Sequence, residues 1–423
     1  MWLLKLIVFA CFSSYLFPFE FTFLLGINTK MMMAALGVCV FLIRSLKQRM
    51  LAFNNDFTWL FVMAGMVSLV GYVSITYNDT PDTAYATYIV SMSVWLAAAY
   101  FVVSLIRFVH KKATFNLLVF YFVAVCVFQC AMALVIDNSP IVKDFVDAYV
   151  FQNQEFLTKG ERLYGIGASL DTAGIRFAIC VILLFYVLKV WKLPLQSYRF
   201  CVTALLFVLL VGSMIARTTL VGLLLGGGLF LYYGMQTKSF NSRKLLVLFA
   251  IVAVLGFSFI YLYNTDYYFR EMARFGLEPF FNYFEGGELM AKSNENLIRM
   301  YVFPDNMKTW IIGDGYFANP HSIDPFYVGK TTSWGYYMGT DVGYLRLIFY
   351  FGLIGLFAFV IFFTHVTVML CRQFPSNKIM FVAILLCGFC VWLKVSTDVF
   401  FAFALWLSLI AYKENEDVSD EFL

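Results

Sequence analysis

The sequence predicts an all-α membrane protein, a polytopic helix bundle of about twelve transmembrane helices with one large and one medium-sized outer loop. Of its 423 residues, 62% are hydrophobic and 13% are charged, whereas a soluble domain carries about 25% charged residues. Twelve apolar windows are long enough to cross a bilayer core of about 30 Å. Along the chain, connections between spans that carry only basic charges alternate with connections that do not, as expected of a chain that crosses a membrane repeatedly.

The first predicted span, at 3–17, has one lysine and an apolar core, as a secretory signal does. No small-residue cleavage site follows it, and further spans come at once, so we interpret it as a transmembrane helix. The predicted spans, in chain order, are 3–17, 23–43, 57–77, 85–106, 114–136, 172–191, 200–214, 218–235, 245–263, 342–370, 379–393 and 396–412.

The charges of the connections predict the orientation of the chain. Five connections carry Lys or Arg and no Asp or Glu. By the positive-inside rule these five face the cytoplasm, and both termini then lie on that side as well. They are 44–50, 107–112, 189–199, 238–244 and 371–378.

Two of the remaining connections are long, at 137–171 and 264–341. Loops of that length are usually functional or separately folded, and the second contains helix-forming text such as "DYYFREMARF" and "NENLIRMYVFPDNMKTW". The sequence therefore predicts a single integral membrane domain over 1–423, with a first outer loop and a large, partly helical second one. Any chemistry is expected on the outer face.

Arg217 stands within the stretch "GSMIARTTLVGLLLGGG" (212–228), inside the apolar run 200–237. The run is long enough for two helices joined by a turn. Since the connections on either side of the run, 189–199 and 238–244, are expected in the cytoplasm, the turn is expected at the outer surface, with Arg217 on it. A lone guanidinium there can simply reach lipid phosphate. The G-x-x-x-G pattern of Gly222 and Gly226 instead predicts a helix packed closely against a neighbour within the bundle.

Further arginines are expected on the same side of the membrane. Arg176 lies at the outer end of the sixth span, and the outer loops carry Arg162, Arg270, Arg274 and Arg299. Guanidiniums that converge on one site would bind a phosphate or diphosphate, because the planar fork pairs with phosphate oxygens and stays charged.

Four segments resemble the Wzy-type polymerases, which join lipid-linked repeat units into O-antigen or capsular polysaccharide, and more distantly the O-antigen ligases that share their fold. The resemblance covers residues 160–413 in order and spacing, whereas residues 1–136 match in hydropathy only. The segments are "ERLYGIGASLDTAGIRFA" (161–178), "GSMIARTTLVGLLLG" (212–226), "ENLIRMYVFPDNMKTWIIGDGYF" (295–317) and "GTDVGYLRLIFYFGLIGLFAF" (339–359).

The resemblance implies a metal-independent glycosyltransferase in the bacterial cytoplasmic (inner) membrane, without a cofactor. Its donor and acceptor would both be oligosaccharides linked to undecaprenyl diphosphate. Arg217 and Arg176 would bind the leaving diphosphate, with Arg162 and Arg299 as loop partners closing over it. Membrane lipids, a chain-length regulator and a flippase are the other implied partners, and nucleic acid is not expected. The outer loops contain no D-x-D or H-E-x-x-H pattern that would ask for a metal.

The reaction also needs a group that removes a proton from the acceptor hydroxyl. Asp341 is placed best, because partial burial at the membrane edge raises the pKa of a carboxylate toward useful values. Its alternative role is to cap the helix of the tenth span. His321, between two prolines, is the next candidate and is alternatively an ordinary surface residue; the other candidates are Asp324 and Glu295.

Two rival functions remain open at this stage. The ligases tend to carry a histidine where this chain has Asp341, which favours the polymerase. A transporter or flippase of lipid-linked oligosaccharides would show internal repeats and charged or broken helices near the bilayer midplane. Here the charges within the membrane cluster at the outer edge, and one large loop breaks any two-fold symmetry.

Overall fold

The computed structural model describes residues 2–48, 55–152, 162–237, 242–286, 292–329 and 336–420. The chain is mostly helical, and parts of both predicted outer loops lie outside the described residues. Two 3-10 turns, Tyr337–Gly339 and Pro375–Asn377, accompany the α-helices. The α-helices are α1 (Trp2–Leu16), α2 (Thr29–Gln48), α3 (Asn55–Asn78), α4 (Tyr88–His110), α5 (Phe115–Asn138), α6 (Pro140–Tyr149), α7 (Leu170–Val190), α8 (Leu195–Ile215), α9 (Thr219–Thr237), α10 (Ser242–Thr265), α11 (Tyr267–Gly276), α12 (Glu278–Gly286), α13 (Lys292–Arg299), α14 (Met307–Ile311), α15 (Pro320–Ile323), α16 (Gly343–Gln373), α17 (Lys378–Val391) and α18 (Phe400–Asp420).

Each of the twelve predicted spans falls on one of these helices. Among the described residues, seven helices are long and apolar enough to cross a membrane by length and composition, and four further apolar helices are shorter. The expected class, a multi-pass helical membrane protein, is therefore compatible with the structure. The number of twelve spans stays a prediction.

A small antiparallel sheet, two of whose strands precede α2, was not predicted. Its strands are β1 (Glu20–Phe21), β2 (Leu24–Asn28) and β3 (Val150–Phe151), in the order β2-β1-β3. The predicted second span at 23–43 therefore begins six residues too early, because α2 starts at Thr29. The text "FTFLLGI" is apolar enough to extend a helix window, yet its β-branched and aromatic residues also suit a paired strand.

The contacts of the chain divide it into two compact units, each assembled from separate segments. The sequence alone predicts one membrane domain, and nothing in it marks this division. Unit 1 comprises 1–33, 104–291 and 382–387, and unit 2 comprises 34–103, 292–381 and 388–423.

Unit 1 is built around α7, which packs against both α8 and α9. The glycines of the G-x-x-x-G pattern explain the close approach of α9. A Cβ placed on Gly222 would lie 2.6 Å from the Cα of Ala178, and one on Gly226 would lie 2.6 Å from the ring of Phe185. Larger residues at these two positions would push α9 away from α7, so the packing predicted from the pattern is confirmed.

Unit 2 is built around α3 and α16, which run antiparallel. Helix α16 is broken at Phe351 and Gly352, where Gly352 has φ 68°. The break leaves carbonyl groups without helical partners, and the loop "GDGYF" (313–317) satisfies them. The amide of Asp314 donates to Phe349 O at 2.6 Å, and the amide of Gly315 donates to Tyr350 O at 3.0 Å. The break is therefore the point where the "GDGYF" loop is hydrogen-bonded to the backbone of α16.

Candidate functional site

The turn that carries Arg217 lies where the sequence predicts it, between α8 and α9. The chain leaves α8 through Ala216, which is extended, and re-enters a helix at Thr219. The buried hydroxyl of Thr219 donates to Gly212 O at 3.0 Å, so the start of α9 satisfies a carbonyl at the end of α8. This places the guanidinium of Arg217 at the ends of two apolar helices.

Arg217 forms an ion pair with Glu278, the first residue of α12 in the large loop. Nη2 of Arg217 lies 2.5 Å from Oε2 of Glu278, and the two side chains are 13% and 18% exposed. Burial lowers the pKa of Arg217, the carboxylate of Glu278 opposes that shift, and Arg162 adds to it by repulsion. Arg162 and Arg217, two of the predicted diphosphate ligands, are therefore electrostatic neighbours in unit 1.

The loop helices dock on α8 through Gly276, the last residue of α11. A Cβ at that position would lie 3.1 Å from the backbone nitrogen of Met214. This close approach brings Glu278, which begins α12 two residues later, to the turn after α8. Two other loop arginines stabilise the loop itself: Nε of Arg270 donates to Tyr263 O at 2.8 Å, and Arg274 pairs with Glu285.

Asp171 adds a second carboxylate beside the same turn. Its Oδ1 accepts a hydrogen bond from the hydroxyl of Thr218 at 2.5 Å. Asp171 lies in the first turn of α7, where a negative charge is favoured by the helix dipole. We call Arg162, Arg217, Asp171 and Glu278 the arginine–carboxylate cluster. The sequence analysis singled out neither carboxylate, although Asp171 lies in one of the four segments that resemble the Wzy-type polymerases.

Arg176 has a different environment from the one predicted. The side chain is buried, its Nε donates to Leu16 O, and its Nη1 donates to Thr172 O. The guanidinium also lies 5.7 Å from the ring centre of Phe17. A cation at the carbonyl end of α1 is favoured by the helix dipole. In this structure Arg176 thus joins α7 to the end of α1, and its role as a diphosphate ligand stays a prediction.

Asp341, the predicted proton acceptor, lies in unit 2 just before α16. The N-cap of α16 is Val342, and no side chain caps it, so the capping role considered for Asp341 is not the one it has. The hydroxyl of Thr340 instead accepts from the amide of Val342 at 3.2 Å. Asp341 is half-buried and interacts electrostatically with Arg346.

Arg346 is a buried arginine that sequence reasoning did not single out. Its guanidinium carbon lies 3.6 Å from the ring centres of both Phe317 and Tyr336, so it is held between two aromatic faces. Nη1 donates to the hydroxyl of Ser396 at 2.8 Å, and Nη2 donates to Phe317 O at 3.3 Å. The arrangement fixes the end of the "GDGYF" loop beside Asp341. The only sequence signal was a charge inside an apolar window.

The remaining candidates lie on the outer-loop part of unit 2. His321 is exposed on α15, and its ring packs edge-to-face on Tyr327 at 5.2 Å. Asp324 accepts a hydrogen bond from the hydroxyl of Tyr316 at 2.6 Å. Glu295 and Arg299 are exposed on α13.

Helix α13 packs through Leu297 on the apolar cluster of Val342, Leu345 and Phe349, next to Asp341 in the chain. The structure thus brings the helix of Arg299 close to the start of α16. Among the residues that the structure describes, no group of three or more His, Cys, Asp or Glu side chains is arranged to hold a metal ion.

Comparison of the chain with protein-family models, with curated proteins and with solved structures found no match in any of the three.

Proposed function

We propose that the chain is a membrane glycosyltransferase that polymerises oligosaccharide repeat units linked to undecaprenyl diphosphate. The proposal includes twelve spans, both termini in the cytoplasm, and a reaction at the outer face of a bacterial cytoplasmic membrane. Its support is the resemblance of four segments to Wzy-type polymerases together with the arginine–carboxylate cluster.

The pairing of Arg217 with Glu278 is the observation that carries the proposal. Arg217 lies at the ends of two apolar helices, where a guanidinium is costly unless an anion accompanies it, and Arg162 is its electrostatic neighbour. The carboxylate of Glu278 is such an anion, bound at 2.5 Å. A diphosphate offers more oxygen acceptors and more negative charge to the same guanidiniums, so it is the natural competitor of Glu278.

The chemistry requires charge stabilisation at this position. A hydroxyl oxygen of the acceptor sugar attacks the anomeric carbon of the donor, and the bond from that carbon to the diphosphate breaks. The bonding electron pair leaves with the diphosphate. Arginines held in place before the reaction stabilise this charge without reorganisation, which is often the largest single contribution to catalysis. Arg217 and Arg162 have that role in the proposal.

Asp341 is assigned as the group that removes the proton from the hydroxyl of the acceptor sugar, and His321 is the second candidate. Asp341 is half-buried and interacts electrostatically with Arg346. Arg176 and Arg299 keep their predicted roles as further diphosphate ligands. Each assignment can be tested by substituting one residue without altering the cluster around Arg217.

The test uses Arg217→Ala and Arg217→Lys in the cells that produce the protein, with polysaccharide chain length read on a gel and protein level by immunoblot. Removal of one oxyanion donor lowers turnover by about 10²–10³-fold. We therefore expect single repeat units with Ala at a normal protein level. Lys should rescue poorly, because an ammonium cannot bind two oxygens in the plane of a fork.

The matched control is Arg274→Ala, which removes an arginine of the large loop that pairs with Glu285 rather than with Glu278. It should leave the chain length unchanged. Long polymer from Arg217→Ala cells would refute the proposed role of Arg217 and reduce it to an anchor at the lipid surface.

A further inference from the structure

A cavity lies at one end of the α3–α16 pair, within unit 2. Its volume is about 460 Å³, within the range of sites that hold small molecules. At the other end of the same pair, the hydroxyl of Ser74 donates to Tyr350 O at 2.6 Å. The cavity therefore lies where α3 begins and α16 ends. Both helices are among the seven that are long and apolar enough to cross a membrane, and in the predicted orientation of the spans their ends are expected at the level of lipid headgroups.

Three ionisable side chains line the cavity. Asp56 comes from the first turn of α3, and His365 and Arg372 come from the last turns of α16. His365 and Arg372 are seven residues apart, which places them on one face of the helix. A carboxylate, an imidazole and a guanidinium thus face one space of small-molecule size.

His365 contributes an unsatisfied polar atom to this lining. Its Nε2 is buried and has no hydrogen-bond partner among the residues that the structure describes. A buried polar atom without a partner costs about 1–3 kcal/mol, so such atoms are normally satisfied. His365 itself lines the cavity, so a ligand bound there would lie next to the imidazole.

Apart from Asn55, the rest of the lining is apolar. Met63 and Met369 form part of the wall, and Val368 is 42% exposed. Trp59 is 54% exposed at the rim. Tryptophan is enriched at the height of lipid headgroups, because its ring is apolar with one polar edge.

We propose that this cavity binds the headgroup of a phospholipid that carries both a phosphate and a primary ammonium. Arg372 and Nε2 of His365 donate to the phosphate, and Asp56 accepts from the ammonium. Phosphatidylglycerol, an anionic lipid without an amine, lacks the group that Asp56 would bind. A choline lipid has a positive charge but no N–H to donate to the carboxylate. This assignment does not depend on the proposed glycosyltransferase activity.

The experiment is native mass spectrometry of the full, delipidated chain in detergent. The probes are phosphatidylethanolamine, phosphatidylcholine and phosphatidylglycerol with the same acyl chains, each added at increasing concentration. We expect one ethanolamine lipid retained at least about tenfold more tightly than either of the others, as the loss of one charge-assisted hydrogen bond implies.

Three variants locate the site. Arg372→Gln should weaken ethanolamine lipid binding about tenfold. Asp56→Asn should remove the preference for ethanolamine over choline. Arg199→Gln is the control, since Arg199 is an exposed arginine at the start of α8, outside the cavity. It should change neither result.

Two results would overturn the proposal. Equal retention of the three lipids, or retention that Arg372→Gln and Asp56→Asn leave unchanged, would mean that no headgroup site exists here. Preference for phosphatidylglycerol would mean that the cavity selects an anion and that Asp56 has no part in it. Arg372 is exposed, so its substitution tests binding without removing buried packing.

Discussion

Nη2 of Arg217 and Oε2 of Glu278 lie 2.5 Å apart, in a contact that leaves both side chains less than one fifth exposed. The pair joins the turn after α8 to the start of α12, so a residue between two apolar helices is bound to a helix of the large loop. A carboxylate in this position neutralises the guanidinium in the resting protein. In the proposed function it is the group that competes with an anionic ligand for Arg217.

Substitution of Glu278 by Gln should therefore strengthen binding of an anion at Arg217. Undecaprenyl diphosphate is the suitable probe, because it is the part of the proposed substrate that does not depend on the sugar. We expect about tenfold tighter binding by the purified Glu278→Gln protein, since a charge-assisted competitor is lost. Weaker binding would mean that Glu278 helps to build the ligand site rather than to cover it.

Exchange of the two charges separates a structural role from a functional one. Arg217→Glu and Glu278→Arg alone each place like charges together and should lower the thermal midpoint in detergent. The double exchange restores an opposite pair, with a coupling free energy of about 0.5–3 kcal/mol. We expect stability to recover while polymer remains absent, because the guanidinium has moved to α12. Polymer of normal length from the double variant would show that only the ion pair matters.

The packing of α9 on α7 predicts opposite effects of the same substitution at two glycines. Gly222→Ala would bring a Cβ within 2.6 Å of the Cα of Ala178, whereas the space around Gly228 is open. Overpacking costs about 1–3 kcal/mol, while alanine in an open helix position gains up to about 1 kcal/mol. Thermal unfolding in detergent should show destabilisation for the first and none for the second. Equal midpoints would contradict the close helix contact.

The close contact between the "GDGYF" loop and α16 can be tested in a similar way. Gly313 and Gly26 have nearly the same backbone angle, φ 85° and φ 86°. Alanine in this left-handed region costs about 1–2 kcal/mol at either position. At Gly313 its Cβ would also lie 2.5 Å from the carbonyl carbon of Tyr350, while nothing lies within 4 Å at Gly26. We expect Gly313→Ala to lower the free energy of unfolding by about 1–3 kcal/mol more than Gly26→Ala does. Equal losses would contradict the close contact between the loop and α16.

Tyr164 predicts a loss of stability at alkaline pH. Burial and a hydrogen bond to Asp147, at 2.9 Å, raise the pKa of Tyr164 above its ordinary value of about 10. The stabilising contribution of its hydroxyl is therefore fully present below pH 10 or so and is lost as the pH rises toward the folded-state pKa. The thermal midpoint should fall more steeply above that pH for the native chain than for Tyr164→Phe. Parallel pH curves would exclude this linkage.

Helix positions and the turn at Arg217 could be predicted from the sequence because they depend on local properties. The hydropathy of a sequence window predicts the length of a span, and the polar segment "ARTT" is the only break in a long apolar run. The strand Leu24–Asn28 was missed because its apolar residues fit a helix window equally well, and its partner Glu20–Phe21 pairs also with Val150–Phe151. Pairing partners remote in the chain leave no local signal.

The candidate site shows the same limit. The arginines Arg162, Arg176 and Arg217 could be placed near one end of the helices from topology alone, since each follows or precedes an apolar segment. Sequence spacing could not show that Arg176 would bind the carbonyls at the end of α1. Nor could it show that Arg346 would be held between Phe317 and Tyr336, because each contact joins segments separated along the chain.

The sequence by itself determined the helical, strongly apolar character of the chain and predicted a charged turn at Arg217, because hydropathy and charge act over a few neighbouring residues. The tertiary structure decided which carboxylate meets that arginine, where α16 breaks, and which side chains surround the cavity at Asp56, His365 and Arg372. Those outcomes depend on how helices pack. Packing is fixed by steric fit and by hydrogen bonds between residues that are distant in the chain.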